Sequence, residues 1–287
     1  MKKPAGFVLC ADDFAMTAGI SRGIVELLAK GRLTATGAMT NRPHWAHWSG
    51  ELAAFEGRAD LGVHLNLTCA APLTSMPRLA PGGVLPKLPD LLKAAMLGHL
   101  PKEEVAAEID AQLQAFEDAM GRAPDFIDGH QHVHGLRRIQ DIVLKVLVRR
   151  YPGSQRPYVR KSADRLHRIL LRRDFAIKAM QVAHLTLGLG RKATAAGFAT
   201  NDGFAGFSDF DPAGDYAVRF ARYLVAPGAR HLVMCHPGYV DDELSGIDSV
   251  VKSRELELAF FAGEAFEETC QRMQVRPRRA MADEVTG

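Results

Sequence analysis

Short apolar runs recur along the chain, and four of them stop abruptly at acid or imidazole. Phe7-Val8-Leu9-Cys10-Ala11 runs into Asp12-Asp13, Leu61-Gly62-Val63 into His64, Phe126-Ile127 into Asp128-Gly129-His130-Gln131-His132-Val133-His134, and Leu232-Val233-Met234-Cys235 into His236-Pro237-Gly238. An apolar run of this length bounded by polar or glycine residues reads as a buried strand. Between the runs the period lengthens to that of a helix. Ile20, Ile24, Leu27 and Leu28 share a face of residues 17–30, with Thr17 as cap and Gly31 just past the end.

The same reading predicts strands over 33–39 and 158–160, and helices over 45–55, 139–150 and 215–224. Residues 102–120 form an amphipathic helix between Pro101 and Gly121, and 253–272 a closing helix. Residues 69–89 hold seven Pro or Gly positions (Pro72, Pro77, Pro81, Gly82, Gly83, Pro86 and Pro89) and keep no period, so they predict a long loop of the kind that serves as a lid. The basic stretch 165–189 reads as a helical insertion near the mouth of the fold. Strand and helix alternate, which predicts an α/β fold, with residues 1–280 as one domain and 281–287 as a disordered tail.

At 287 residues and a formal charge of +3, the chain is long enough for an ample core and only mildly basic. Its basic pairs, Arg149-Arg150, Arg172-Arg173 and Arg278-Arg279, lie far apart without interleaved aromatics, which argues against nucleic acid. Cys10, Cys69, Cys235 and Cys270 show no CxxC spacing and read as reduced. With no leader-like start and no apolar stretch near the roughly 20 residues that span a bilayer, the expected location is cytoplasmic. No GxSxG elbow, P-loop or strand-following GxGxxG is present, so acyl-serine, P-loop and dinucleotide chemistry have no anchor.

Parallel strands in a barrel or open sheet deliver their last residues to one face, so these acids and imidazoles converge. Ionised carboxylate and neutral imidazole are ligands for zinc and similar divalent ions. Adjacent Asp12 and Asp13 repel unless a cation or proton offsets them, though one of the two could merely cap the next helix. Alternation puts His64, Asn66 and Thr68 on one face, which makes Asn66 a candidate to support His64 or touch substrate. His130, His132 and His134 share a face if their segment stays extended, and each buried ring brings two nitrogens that need partners. Asp128 is placed to orient an imidazole, and His236 is a candidate general acid. Arg160, at a strand end, and Tyr239 are candidate substrate contacts.

Ala11-Asp12-Asp13-Phe14, Gly62-Val63-His64-Leu65-Asn66-Leu67-Thr68, Asp128 to His134, and Met234-Cys235-His236-Pro237-Gly238 together resemble the YdjC-like carbohydrate deacetylases, the family of chitooligosaccharide deacetylases and of a hopanoid-biosynthesis-associated member. The resemblance implies a distorted (β/α) TIM-like barrel that removes the acetyl group from an N-acetylated amino sugar, either an oligosaccharide or a glycolipid head. It implies one divalent ion, zinc or magnesium first and manganese or cobalt next, held by Asp13, His64 and His130, with Asp12 as general base and His236 as general acid. A homodimer is compatible with it. The family motif carries glycine where this chain has Ala15; at a positive φ that alanine costs about 1 kcal/mol. The alternatives are another metal-dependent hydrolase, such as a phosphoesterase in which His132 and His134 help hold a second ion, or a sugar-binding relative without catalysis.

Overall fold

Strand β1 (Ala5–Phe14) lies at the centre of the sheet and is flanked by partners on both edges, which is why it is apolar along most of its length. The computed structural model describes residues 4–173 and 175–280, so the predicted tail at 281–287 lies outside the described residues. After β1 the order is α1 (Ala18–Ala29), β2 (Ala35–Ala38), α2 (Trp45–Ala53), β3 (Asp60–Leu65), α3 (Leu88–Leu97), α4 (Lys102–Met120) and β4 (Phe126–Gly129). A 3₁₀ turn (His130–Gly135), α5 (Ile139–Arg150), β5 (Tyr158–Val159), α6 (Leu166–Arg172), α7 (Ala176–Leu185), α8 (Leu189–Ala195) and β6 (Gly203–Ala205) follow. The remainder is α9 (Tyr216–Tyr223), β7 (His231–Cys235), α10 (Leu244–Ile247), α11 (Lys252–Ala262), α12 (Glu264–Arg272) and β8 (Val275–Pro277).

All strand pairs are parallel, in the order β5-β4-β3-β2-β1-β7-β6, with β8 paired to the start of β1. Val159 of β5 bridges to Thr200, just before β6, so the two outer strands meet and the sheet curls into a distorted (β/α) barrel. Alternation then sorts the side chains. Val8, Cys10, Ala35, Phe126, Tyr158, Phe204, Leu232 and Met234 form one cluster inside the curl, capped by Ile169 of α6 and Ala179 of α7. Phe7, Leu9, Ala11, Leu61, Val63 and Val233 face the helices in a second, larger cluster. The interior is crowded enough to favour glycine at two strand positions. A Cβ on Gly62 would lie 2.5 Å from the Phe126 ring, and one on Gly37 3.1 Å from Asp128 Oδ1.

Three expectations need correction. The 69–89 segment is a loop but is clamped by α4: Glu108 accepts the Leu73 and Thr74 amides, Glu104 the Arg78 and Leu79 amides. Pro89, read as a loop residue, sits in the first turn of α3, where its missing N–H costs nothing. The closing helix breaks at Gly263, whose extended backbone separates α11 from α12, and the chain then adds β8. By contrast α1 is capped by Thr17 through the Ile20 amide, and α4 ends at Gly121 with φ 68°, both as read. Among the described residues no helix is long and apolar enough to cross a membrane.

Candidate active site

Strand register does much of the assembly. Ala11 pairs with Cys235, so the next residues on each strand, Asp12 and His236, emerge beside one another. His64 pairs with Asp128, and Ile127 pairs with Val159, which brings Asp128 next to Arg160. Alternation alone would send Asp12 inward and Asp13 outward. Instead the register with β2 slips between Ala11 and Phe14, and Asp13 takes φ 69°, which turns its carboxylate to the same mouth as that of Asp12. Ala15 also has a positive φ, 67°, the conformation that glycine would adopt without strain. Its amide is held by Ser21 Oγ at 3.0 Å.

Each aspartate has its own buried arginine. Arg160 Nη1 and Nη2 donate to the two oxygens of Asp12 at 2.5 and 2.9 Å, and Nη1 also lies 2.7 Å from Asp128 Oδ2. Arg254 Nη2, from α11, donates to Asp13 Oδ2 at 2.7 Å and to Asp248 Oδ2 at 2.6 Å. Burial opposes ionisation of both acids, but Arg160 outweighs it at Asp12, and Arg254 with His130 outweighs it at Asp13; both carboxyls are held well below the ordinary range.

The imidazoles close on Asp13 Oδ1. His64 Nε2 lies 3.3 Å from it and His130 Nδ1 2.9 Å. Asp128 Oδ1 takes the other His64 nitrogen at 2.7 Å and so fixes the ring. Burial alone would lower the His64 pKa, yet Asp128 and Asp12 overcome it and hold the ring protonated to about 10. The carboxylates that retain a proton there favour a divalent cation in the same place. One carboxylate oxygen and two imidazole nitrogens, all buried and mutually within 4.8 Å, form a donor set that fits such an ion. A second group, Cys10, Asp12 and Asp128, has similar spacing, but the Arg160 guanidinium already stands against all three of its members.

The three histidines do not share a face, because the segment is not extended. After Gly129 the chain enters a tight turn with Gln131 at φ 52° and His132 at φ 61°. Only His130 reaches the carboxylates. His132 contacts Ser162 Oγ at 3.1 Å and the edges of Phe204 and Phe207, and burial with nearby Arg160 pushes its pKa well down. His134 donates from Nε2 to the Arg160 carbonyl at 2.7 Å, and burial lowers it to about 4, so it is neutral and fastens the turn to the strand end that carries Arg160.

His236 follows β7 with Nε2 4.0 Å from Asp12 Oδ2, and the Phe210 ring stands edge-on to it at 5.3 Å. Burial lowers its pKa to about 4, leaving a neutral imidazole. Asp12, Asp13, His64, His130 and His236 make the polar floor of a cavity of about 280 Å³, whose walls include Leu92, Leu136, Val182, Leu185 and Phe207. The α7 part of the basic helical insertion therefore lines the mouth, as its position in the sequence suggested.

Three further candidates do not line the cavity. Arg160 is fully buried and faces Asp12 and Asp128, which leaves it no open surface for substrate. Asn66 organises a turn, accepting the Thr68 and Cys69 amides and donating to the Cys69 carbonyl. Tyr239 is on the outer surface, donating to Glu26 beneath the Arg22 guanidinium. Arg254 and Glu257 of α11 were not anticipated. Their signal is present in the sequence: positions 254, 257, 258 and 261 share a helix face, and two charged residues on a face completed by Leu258 and Phe261 demand buried partners.

Residues 6–272 match the family described as YdjC-like protein. A chitooligosaccharide deacetylase of Klebsiella pneumoniae (strain 342) is 31% identical over 242 residues, covering 83% of this chain and 84% of the relative. One from Proteus mirabilis (strain HI4320) is 37% identical over 136 residues, covering 47% of this chain and 53% of the relative. In fold, the chain is similar to a crystal structure from Enterococcus faecalis V583 described as a cellobiose-phosphate cleavage protein, with TM-score 0.75 and 20% identity over 98% of this chain and 99% of that chain. On the span of the family match and the identity to the Klebsiella relative, the chain belongs to the YdjC-like protein family.

Proposed function

We propose that this protein is a metal-dependent carbohydrate N-deacetylase, hydrolysing the acetamide of an N-acetylated amino sugar to acetate and a free amine. The observation that carries the reading is the convergence of Asp12, Asp13, His64, His130 and His236 on the floor of one cavity, in a chain whose relatives are named deacetylases. Asp13, His64 and His130 would hold the ion, which when bound supplies Lewis acidity toward an amide oxygen and a water molecule.

The rest is work for side chains. Asp12, kept ionised by Arg160, accepts the proton of the attacking water. Water oxygen bonds to the amide carbon, the C–N bond breaks, and His236 delivers a proton to the departing nitrogen, which leaves poorly as an anion. Because burial keeps His236 neutral at rest, it takes up that proton within the cycle; Asp12 Oδ2, 4.0 Å away, is the adjacent proton-bearing group. Asp128 holds the His64 ring, and Arg254 holds the second oxygen of Asp13.

Above the floor, one wall of Leu92, Leu136, Val182, Leu185 and Phe207 offers no hydrogen bonds to sugar hydroxyls, while Gln131, Lys178, Thr186 and Ser249 are polar groups left for a single sugar. This supports a glycolipid head, a single sugar on the floor with an apolar aglycone along the wall, over a long oligosaccharide. The test is acetate release by metal-reconstituted protein from chitooligosaccharides and from an alkyl N-acetylglucosaminide, with chelated protein as control. Metal-dependent release, faster from the alkyl glycoside, is expected. Release from neither by metal-loaded protein overturns the reading, and release equal from both removes the glycolipid preference.

A further inference from the structure

Helix α11 grips the His236-Pro237-Gly238 turn from behind at two points. Glu257 Oε2 accepts the His236 backbone N–H at 2.5 Å, and the Arg254 carbonyl accepts the Gly238 N–H at 3.2 Å. Pro237 has no N–H, so these are the turn's main-chain donors and α11 takes both. The Arg254 side chain simultaneously holds Asp13. Both side chains are buried, Arg254 to 0% exposure and Glu257 to 2%. A buried carboxylate is costly, and an apolar residue would serve the helix face better. The carboxylate also takes the Tyr216 hydroxyl, but toward the site what an acceptor here supplies is a fixed His236 backbone, with Phe210 against the ring on its other side.

We propose that Glu257 is a positioning residue for His236: its carboxylate, with the Arg254 carbonyl beside it, fixes the turn that aims the His236 imidazole toward Asp12. The same helix thereby sets the spacing between the Asp13 side of the site and the His236 side. The inference rests on reading His236 as the general acid, and the experiment separates the two.

Glu257→Ala, Glu257→Gln and His236→Ala are compared in the full-length, metal-loaded protein. The substrates are N,N′-diacetylchitobiose, whose amine must be protonated to leave, and 4-nitrophenyl acetate, whose phenolate leaves without a proton. Glu257→Ala is expected to lower kcat on the amide by roughly 10- to 100-fold with KM and metal content unchanged, and to spare the ester. Glu257→Gln, which keeps an acceptor oxygen, is expected to stay within about 3-fold of the parent. A merely structural role would reduce both substrates together with the folded fraction. Full amide activity in Glu257→Ala alongside its loss in His236→Ala overturns the positioning role; full activity in both overturns the reading of His236 itself. NMR of the His236 ring resonances decides independently of turnover. They are expected to shift in Glu257→Ala and to return in Glu257→Gln, and unshifted resonances in folded Glu257→Ala also overturn the proposal.

Discussion

Replacing Arg160 with methionine is the sharpest perturbation of this site, because it keeps side-chain length while removing one charge from a fully buried cluster. Arg160 is 0% exposed, makes two hydrogen bonds to Asp12 at 2.5 and 2.9 Å, and lies 2.7 Å from Asp128. Its loss leaves two buried carboxylates with only the His64 ring between them. Removing one partner of a buried ion pair costs about 3–5 kcal/mol, mostly from the uncompensated charge left behind. In the parent, the Asp12 carboxyl is held below its unfolded value, so it contributes stability that is present above about pH 4 and is lost only as pH falls further. Without Arg160, burial is opposed only by the His64 and His236 rings and lifts that carboxyl relative to the parent, so the variant regains stability by binding a proton as pH falls. The gap between parent and variant should therefore be about 3–5 kcal/mol at pH 7.5 and visibly smaller at pH 5. Urea unfolding in the presence of a chelator, at both pH values, measures it. A loss below about 1 kcal/mol at pH 7.5, or one that is the same at both pH values, would refute the ion-pair account.

Asp13→Ala should abolish stoichiometric binding of added zinc by calorimetry, whereas full occupancy would remove Asp13 from the ligand set. Gly62→Ala should cost roughly 1–3 kcal/mol in urea unfolding, since its Cβ would meet a Phe126 ring already stacked on Tyr158 at 5.2 Å; an unchanged midpoint would mean that the interior has slack. Burial lifts Glu257 from 4.5 to about 7, with Arg254, Tyr216 and Arg219 facing it. The folded state thus keeps a proton that the unfolded state has released, and stability falls as pH rises through that window. Glu257→Gln lacks this decline and should gain on the parent by about 3 kcal/mol between pH 4.5 and 7; parallel stability curves would contradict the shift.

The sequence pattern was most legible where one residue's neighbours decide its state. Thr17 caps α1 because a side-chain oxygen there satisfies the Ile20 amide, and α4 runs from Pro101 to Gly121 because each ends a helix on its own chemistry. The alternation of β1 and β3 likewise announced acid and imidazole at strand ends. It failed where distant parts of the chain decide. Arg160 at a strand end looks the same whether it faces solvent or a carboxylate 148 residues away. The left-handed residues Gln131 and His132 carry no glycine to advertise the turn, so the pattern left open whether the histidine cluster stays extended. The loop at 69–89 was recognised, but the carboxylates that clamp it come from α4.

The two adjacent aspartates pose a question that their neighbours answer. Side by side and buried, they would hold a proton between them unless cations offset both charges. The fold supplies one guanidinium to each from opposite sides, Arg160 through β5 and Arg254 through α11, so each acid is neutralised separately. The manner of pairing differs, and the difference bears on their roles. Arg160 engages both oxygens of Asp12, which spreads its charge and leaves Oδ2 4.0 Å from both the His236 and the His64 rings. Arg254 takes only Oδ2 of Asp13 and leaves Oδ1 alone toward His64 and His130. A single free oxygen 3.3 and 2.9 Å from two imidazoles suits a ligand; an oxygen that already accepts from Arg160 and stands 4.0 Å from the His64 and His236 rings suits proton transfer. That asymmetry supports Asp13 as ligand and Asp12 as base on grounds independent of resemblance. It also explains why both arginines must be buried: a solvent-exposed cation would be screened and would leave the pair to share a proton.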